Sequence, residues 1–374
     1  MKTPICGQYG IEFPLFAFSH CRDVVAAVTN AGGFGVLGGT AFTPEQLDRE
    51  LTWIDDQVRG KPYGVDIIVP AKYEGKGEGL SGGELAARIP DHYRSYVAEL
   101  LASHDIPADA TPLGGSGLSG DTGEALLDAA LTHPIALMAN ALGVPPAYMI
   151  EAGRTHGIPV AALVGAKEHA IKQVDAGVDL IIAQGTEAGG HCGEVSTLVL
   201  VPEVLDAVEA TGRDVPVLAA GGIVTGRQMA ACVAMGAAGA WTGSVWLTTE
   251  EAETAPYTKQ KMIAATSRDT VRSTGRTGKP SRQLVSDWTD AWLPGEGGRK
   301  ALPLPLQSML CEPALRRVDK LATAGHPGAQ ALSTYFVGQG VGLMNAVKPA
   351  REVVLAFIED YVEAAQRLAG SLGD

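Results

Sequence analysis

The feature that most constrains this chain is a rhythm. Eight apolar runs, each about one strand long, alternate with helical segments between residues 13 and 244. The runs are Phe13 to Phe18, Phe34 to Gly38, Tyr63 to Val69, Pro134 to Ala139, Pro159 to Val164, Val178 to Ala183, Val215 to Ala220 and Ala240 to Thr242. Runs such as Val178-Asp179-Leu180-Ile181-Ile182-Ala183 read as strands buried on both faces of a parallel sheet. Helix signals fill the gaps, with a glycine stop at Gly32-Gly33 and Thr43 as an N-cap followed by Pro44 at the first helical position. Eight such units predict a (β/α)8 barrel. A doubly wound sheet is the alternative, and the absence of a G-x-G-x-x-G turn after the first strand counts against it.

Two stretches break the rhythm. From about 70 to 132 the chain carries glycines at 75, 77, 79, 82 and 83, helical segments from Leu85 to Ile89 and from Tyr93 to Ser103, and a Gly/Ser loop from Gly114 to Gly120. An insertion of this length in a compact domain reads as a lid or an oligomer contact. Residues 250–340 read as a mostly helical cap beside the barrel mouth, in which Arg268, Arg272 and Arg276 form a solvated basic helix face. The expected organisation is a barrel over 1–249 with the insertion at about 70–132, the cap over 250–340, and a closing helix over 341–374 packed on the barrel.

Hydrophobic residues at 46% and charged residues at 19% supply a large core, and a net charge of -13 argues against nucleic acid or an anionic membrane as partner. No apolar run reaches the length of a membrane span, and the N-terminus lacks a signal-peptide pattern. Five cysteines without a C-x-x-C pair disfavour a disulfide framework or a metal site. A cytoplasmic location and no metal are expected, and the apolar cap is compatible with a homodimer.

The chemistry concentrates after the sixth run, in Gln184-Gly185-Thr186-Glu187-Ala188-Gly189-Gly190-His191-Cys192-Gly193. A polar amide, clustered glycines and one histidine at a strand end describe a barrel active-site loop. His191 can exchange a proton near neutral pH and is the candidate acid/base; a Gly-rich turn with a merely structural histidine is the competing view. Cys192 is set aside as a nucleophile, since adjacent side chains seldom face one another. His20, after the first strand, is a second mouth candidate, while His92, His104, His133, His156, His169 and His326 read as structural. Gly221-Gly222 and Gly243-Ser244 end the seventh and eighth runs, where barrels often bind phosphate through loop N–H groups. A phosphate there and an amide-rich loop at the sixth strand suit flavin mononucleotide (FMN). Pyridoxal phosphate suits the pattern less, because Lys167 is the one lysine close to a strand end.

Those motifs carry a resemblance. Asn30-Ala31-Gly32-Gly33-Phe34-Gly35-Val36-Leu37-Gly38, the string from Gln184 to His191, Ala219-Ala220-Gly221-Gly222-Ile223 and Gly338-Gln339-Gly340 resemble the nitronate monooxygenase family of FMN-dependent barrels over most of the chain. The resemblance implies flavin contacts from Ala17, Phe18, Ser19, Asp66, Gln184, Gly185, Gly189, Gly190 and Ala220. It implies phosphate contacts from Gly221, Gly222, Gly243 and Ser244, with His191 as catalytic base and His20 and Gln339 on the substrate side. Where the family commonly has an asparagine at the end of the third strand, this chain has Asp66. The implied activity is oxidation of alkyl nitronates, or of nitroalkanes, by O2 to a carbonyl compound and nitrite. An NAD(P)H-dependent FMN reductase of quinones or enoyl thioesters is the alternative, and a flavin-binding protein without turnover comes last, because His191 is in place.

Overall fold

The computed structural model describes residues 1–69, 73–75, 77–78, 80–107, 120–293 and 299–372. Gly79 and residues 114–119 of the expected Gly/Ser loop lie outside them. Eight parallel strands close into a barrel: β1 (Leu15–Ser19), β2 (Phe34–Gly38), β3 (Gly64–Asp66), β4 (Leu137–Asn140), β5 (Val160–Val164), β6 (Leu180–Gln184), β8 (Val217–Ala220) and β9 (Gly239–Thr242). The strand skipped in that count, β7 (Gly190–His191), lies outside the barrel. Closure comes from β9 pairing with β1, which sets Ala17 opposite Thr242. The chain is thus a (β/α)8 barrel.

Period-two alternation sorts each strand between two cores. In β1, Leu15 and Ala17 face the helix layer, while Phe16 and Phe18 point inward. Inside the barrel Phe16 packs against Phe34 with ring centroids 4.9 Å apart, and Trp241 stacks on Phe16 at 6.3 Å. A short helix, Pro4–Tyr9, plugs the lower end; the Tyr9 ring meets Phe16 and Phe34 edge-on at 5.5 Å. These aromatic rings fill the barrel interior at its lower end.

The third strand is shorter than its apolar run predicts. Side chains take over the ladder: the Ile68 N–H donates to Thr40 Oγ1 and the Val69 N–H to Asn140 Oδ1, each at 2.8 Å. The insertion and the cap form one body. Leu85, Ile89, Val97 and Leu101 from the insertion share a core with Trp288, Trp292 and the helix Leu306–Thr323. The arginine-rich stretch is not a helix face. It forms an antiparallel pair, β10 (Thr270–Ser273) and β11 (Ser281–Leu284), and β11 also pairs with β7, placing Ser281 opposite His191. The closing helix, Ala350–Gly370, buries Val354 and Phe357, and Phe357 stacks on Trp246. Among the described residues, no helix is long and apolar enough to cross a membrane.

Candidate active site

A cavity of about 860 Å³ opens at the C-terminal ends of the barrel strands, under the cap. That volume lies toward the upper end of ligand pockets and holds more than one small molecule. Of the residues expected from sequence, Phe18, Ser19, His20, Asp66, Gln184, Gly189, Gly190, His191, Ala220, Gly221, Gly222, Gly243 and Ser244 line it. Three do not. Ala17 is fully buried against the helix layer. Gly185 sits against Thr197, whose Oγ1 and backbone leave no room for a Cβ. Gln339 lies off the cavity lining, and its backbone N–H donates to the Glu187 carbonyl at 2.8 Å. Lys167 is exposed and lies off the cavity.

His191 is held from two sides. Its backbone is paired to Ser281 of β11, and its Nε2 lies 2.8 Å from Thr277 Oγ1. Arg282, the next residue of β11, ties the loop down by donating from Nε to the Thr186 carbonyl at 2.8 Å. Burial, and secondarily the Lys279 ammonium, push the His191 pKa down to about 4. The ring is therefore neutral at pH 7 and able to accept a proton. His20 is exposed at the cavity mouth and donates its Nδ1–H to the Gly38 carbonyl at 3.1 Å; desolvation by the surrounding cavity walls shifts its pKa downward, against the pull of that hydrogen bond. Cys192 lines the cavity as a half-buried thiol whose pKa burial raises, so it is not primed as a nucleophile.

The glycine turns divide into two kinds. Gly189 and Gly221 are required by the protein itself: a Cβ on the first would lie 2.8 Å from the Gly338 backbone, and on the second 2.7 Å from Thr197 Oγ1. Gly190 and Gly243 instead face open space on the cavity side, with no atom within 4 Å of an added Cβ. Gly221 and Gly222 adopt φ of 109° and 67°, which turns the chain sharply at the end of β8. Gln228 pins this turn, donating to the Gly222 carbonyl and accepting the Val224 N–H at 2.8 and 2.9 Å. Among the described residues, none accepts a hydrogen bond from the N–H groups of Gly222, Ile223, Gly243 or Ser244. Backbone donors left without a protein acceptor at two adjacent strand ends are the groups an anion site uses.

Asp66 is buried at the cavity wall, and its Oδ1 has no hydrogen-bond partner among the described residues. Burial raises its pKa from 3.8 to about 7. An unfolded Asp66 loses its proton near 3.8, whereas the folded one keeps it to about 7, so the ligand-free protein loses stability as pH rises between those values. Asp66→Asn should remove this loss. The stability gap between variant and wild type, read from urea midpoints, should widen from pH 4 to pH 7; a gap that does not change with pH would mean that the carboxyl ionises normally.

Several cavity residues were not singled out from the sequence. Lys279, Glu312, Arg316, Tyr335 and Phe336 come from the cap, while His169, read above as structural, and Lys172 come from the helix after β5. Of the three arginines expected on one basic face, Arg268 is exposed, Arg272 lines the cavity and pairs with Glu194 at 3.1 Å, and Arg276 is buried against Glu312. The partners of these residues lie far away in the chain, so no local pattern marks them. Among the described residues, no group of three or more His, Cys, Asp or Glu is placed to hold a metal ion.

Comparison with known proteins places this architecture. The family model described as nitronate monooxygenase matches residues 4–360. The Mycobacterium tuberculosis protein Rv1533, provisionally named a monooxygenase, is 51% identical over 378 residues, covering 99% of both chains. A Staphylococcus saprophyticus protein provisionally named a nitronate monooxygenase is 27% identical, covering 95% of this chain and 99% of its own. Among solved structures, nitroalkane oxidase from Streptomyces ansochromogenes superposes with a TM-score of 0.79 at 26% identity, covering 96% of this chain and 98% of that one. FabK from Thermotoga maritima superposes at 0.71 with 25% identity, covering 99% of both. The family match runs through the barrel, the histidine loop, the glycine turns and the cap, and the chain therefore belongs to the nitronate monooxygenase family of oxidoreductases.

Proposed function

We propose that the protein is an FMN-dependent enzyme that oxidises alkyl nitronates, and nitroalkanes first deprotonated by His191, with O2 to a carbonyl compound and nitrite. The observation that supports this reading is a neutral, half-buried histidine in the same cavity as backbone N–H groups without a protein acceptor at the seventh and eighth barrel strands. The residues present fit FMN. The N–H groups of Gly222, Ile223, Gly243 and Ser244 would hold its phosphate, Gly190 and Gly243 leave it room, and the unpartnered Asp66 Oδ1 and the Gln184 amide would meet polar atoms of its ring. When bound, FMN supplies a two-electron acceptor that can be reoxidised by O2.

The remaining steps belong to the chain. His191 takes the α-proton of a neutral nitroalkane, which breaks the C–H bond and leaves the electron pair on the nitro compound as its nitronate. Phe336, whose ring centroid is 6.3 Å from that of His191, and Tyr335 help to keep water from the base. Lys279, Arg272, Lys172 and Arg316 line the same cavity and attract an anionic substrate, in a protein whose overall charge is -13.

That group of cations, together with the likeness to FabK, also supports a second reading, an NAD(P)H-dependent FMN reductase of quinones or enoyl thioesters. An anaerobic stopped-flow absorbance experiment separates the two. On the first reading propyl-2-nitronate bleaches the yellow protein, and NADH and NADPH do so little. Fast bleaching by a nicotinamide alone would move the protein to the reductases, and protein that cannot be loaded with FMN would undo both.

A further inference from the structure

We propose that Thr277 is a positioning residue that fixes the tautomer of His191: its hydroxyl keeps the proton on Nε2 and leaves Nδ1 as the nitrogen that accepts the substrate's proton. The consequence for turnover rests on His191 acting as base, as proposed above; the tautomer itself does not.

The argument is one of hydrogen-bond capacity. Thr277 Oγ1 has three polar neighbours: His191 Nε2 at 2.8 Å, the Lys279 carbonyl at 3.1 Å and the Lys279 N–H at 3.3 Å. A hydroxyl has one proton to give and two lone pairs to receive with. The Lys279 carbonyl can only accept and the Lys279 N–H can only donate. If the hydroxyl donates to the carbonyl, its two lone pairs receive the Lys279 N–H and an Nε2–H of His191, and all three contacts are satisfied. If it donates to Nε2 instead, the carbonyl loses this donor and one lone pair goes unused. Thr277 is only 5% exposed, so water is poorly placed to make up the difference.

The backbone makes the arrangement rigid. The ladder sets Ser281 opposite His191, which brings the turn before β11 against the ring. Gly278, at φ 84°, closes that turn by donating its N–H to the Thr274 carbonyl at 2.8 Å. Nδ1 has no hydrogen-bond partner among the described residues, and His191 lines the cavity. The titratable groups beside the ring are Lys279 on the Thr277 turn and Cys192 next in the chain; Arg282 across the ladder is engaged with Thr186. When the α-proton moves to Nδ1, the imidazolium still donates its Nε2–H to Thr277, and a hydrogen bond to the charged form stabilises it.

The test uses full-length protein labelled with 15N-histidine, with His191→Asn to assign the ring signals in long-range proton–nitrogen spectra. At neutral pH, His191 should show the Nε2–H tautomer; the Nδ1–H form would overturn the proposal without any variant. In a pH titration, Thr277→Ser should match wild type. Thr277→Val should bind the His191 proton more weakly, on the order of tenfold, because the lost acceptor supports the imidazolium most. Tighter proton binding in Thr277→Val would show that the hydroxyl donates to Nε2, and unchanged binding would show a purely structural role; either sinks the proposal. None of these readouts depends on turnover, so failure of His191 as a base would appear separately in nitroalkane kinetics.

Discussion

His191→Asn should keep its flavin and lose on the order of 10²–10⁴-fold in kcat/KM for a neutral nitroalkane, the usual worth of a positioned general base. Asparagine is shorter than histidine and ends where Nδ1 stood, so it gives up the Thr277 contact made through Nε2, while the glycine turns on the seventh and eighth barrel strands are untouched. A nitronate has already lost its α-proton, so its oxidation should fall by roughly tenfold or less, the part of the effect owed to orientation rather than proton transfer. The wild-type pH profile gives a second handle. Burial holds the His191 pKa near 4, so the base stays unprotonated as pH falls from 7, and its contribution should decline only as pH nears that value. Steady-state kinetics on a nitroalkane and its nitronate, side by side, check both points. Equal losses on the two substrates would remove the base role.

Arg276→Met should cost about 3 kcal/mol of stability, the low end of the penalty for stranding one member of a buried ion pair, because Glu312 is 31% exposed at the cavity wall. Arg276 reaches Glu312 through Nε and Nη2 at 2.7 and 3.1 Å, and its guanidinium lies 4.3 Å from the Phe336 ring and 5.3 Å from Tyr335. Burial pushes the Glu312 pKa up, but the charge and hydrogen bonds of Arg276 outweigh it and leave it below the ordinary value. Asp319 stands in the same cluster, raised to about 6 mainly by burial and further by Glu312, against the opposing pull of Arg276. Without the arginine, the half-buried Glu312 and Asp319 carboxylates are left to repel each other. Protonation relieves that repulsion, so the loss should be larger at pH 8 than at pH 5. Arg276→Lys should recover only part, because an ammonium cannot make the two-pronged contact. Urea unfolding at the two pH values checks this. A loss below about 1 kcal/mol, typical of exposed pairs, would mean that the pair is solvated.

What the sequence determined on its own is what local patterning encodes. The eight apolar runs gave the barrel because strand burial shows in a handful of consecutive residues, and Thr43, Pro44 and Gln46 carry their own helix start, a capping box. The glycine turns and the Gln184 to His191 loop were legible because strand ends in a barrel converge on one face, so residues following strands share a site. Ala17 and Gly185 show the limit of that rule: nearness to a strand end does not settle which way a side chain points.

Only the tertiary structure decided how His191 is held. His191 gains its strand partner and its Thr277 contact from residues roughly ninety positions later, in a stretch whose polar composition reads as solvated helix. A β-ladder is completed by whatever chain lies alongside, and that pairing leaves little trace in either segment alone. The same holds for the shared core of the insertion and the cap, and for Arg276, whose charge is tolerable inside only because Glu312 and two aromatic rings meet it there.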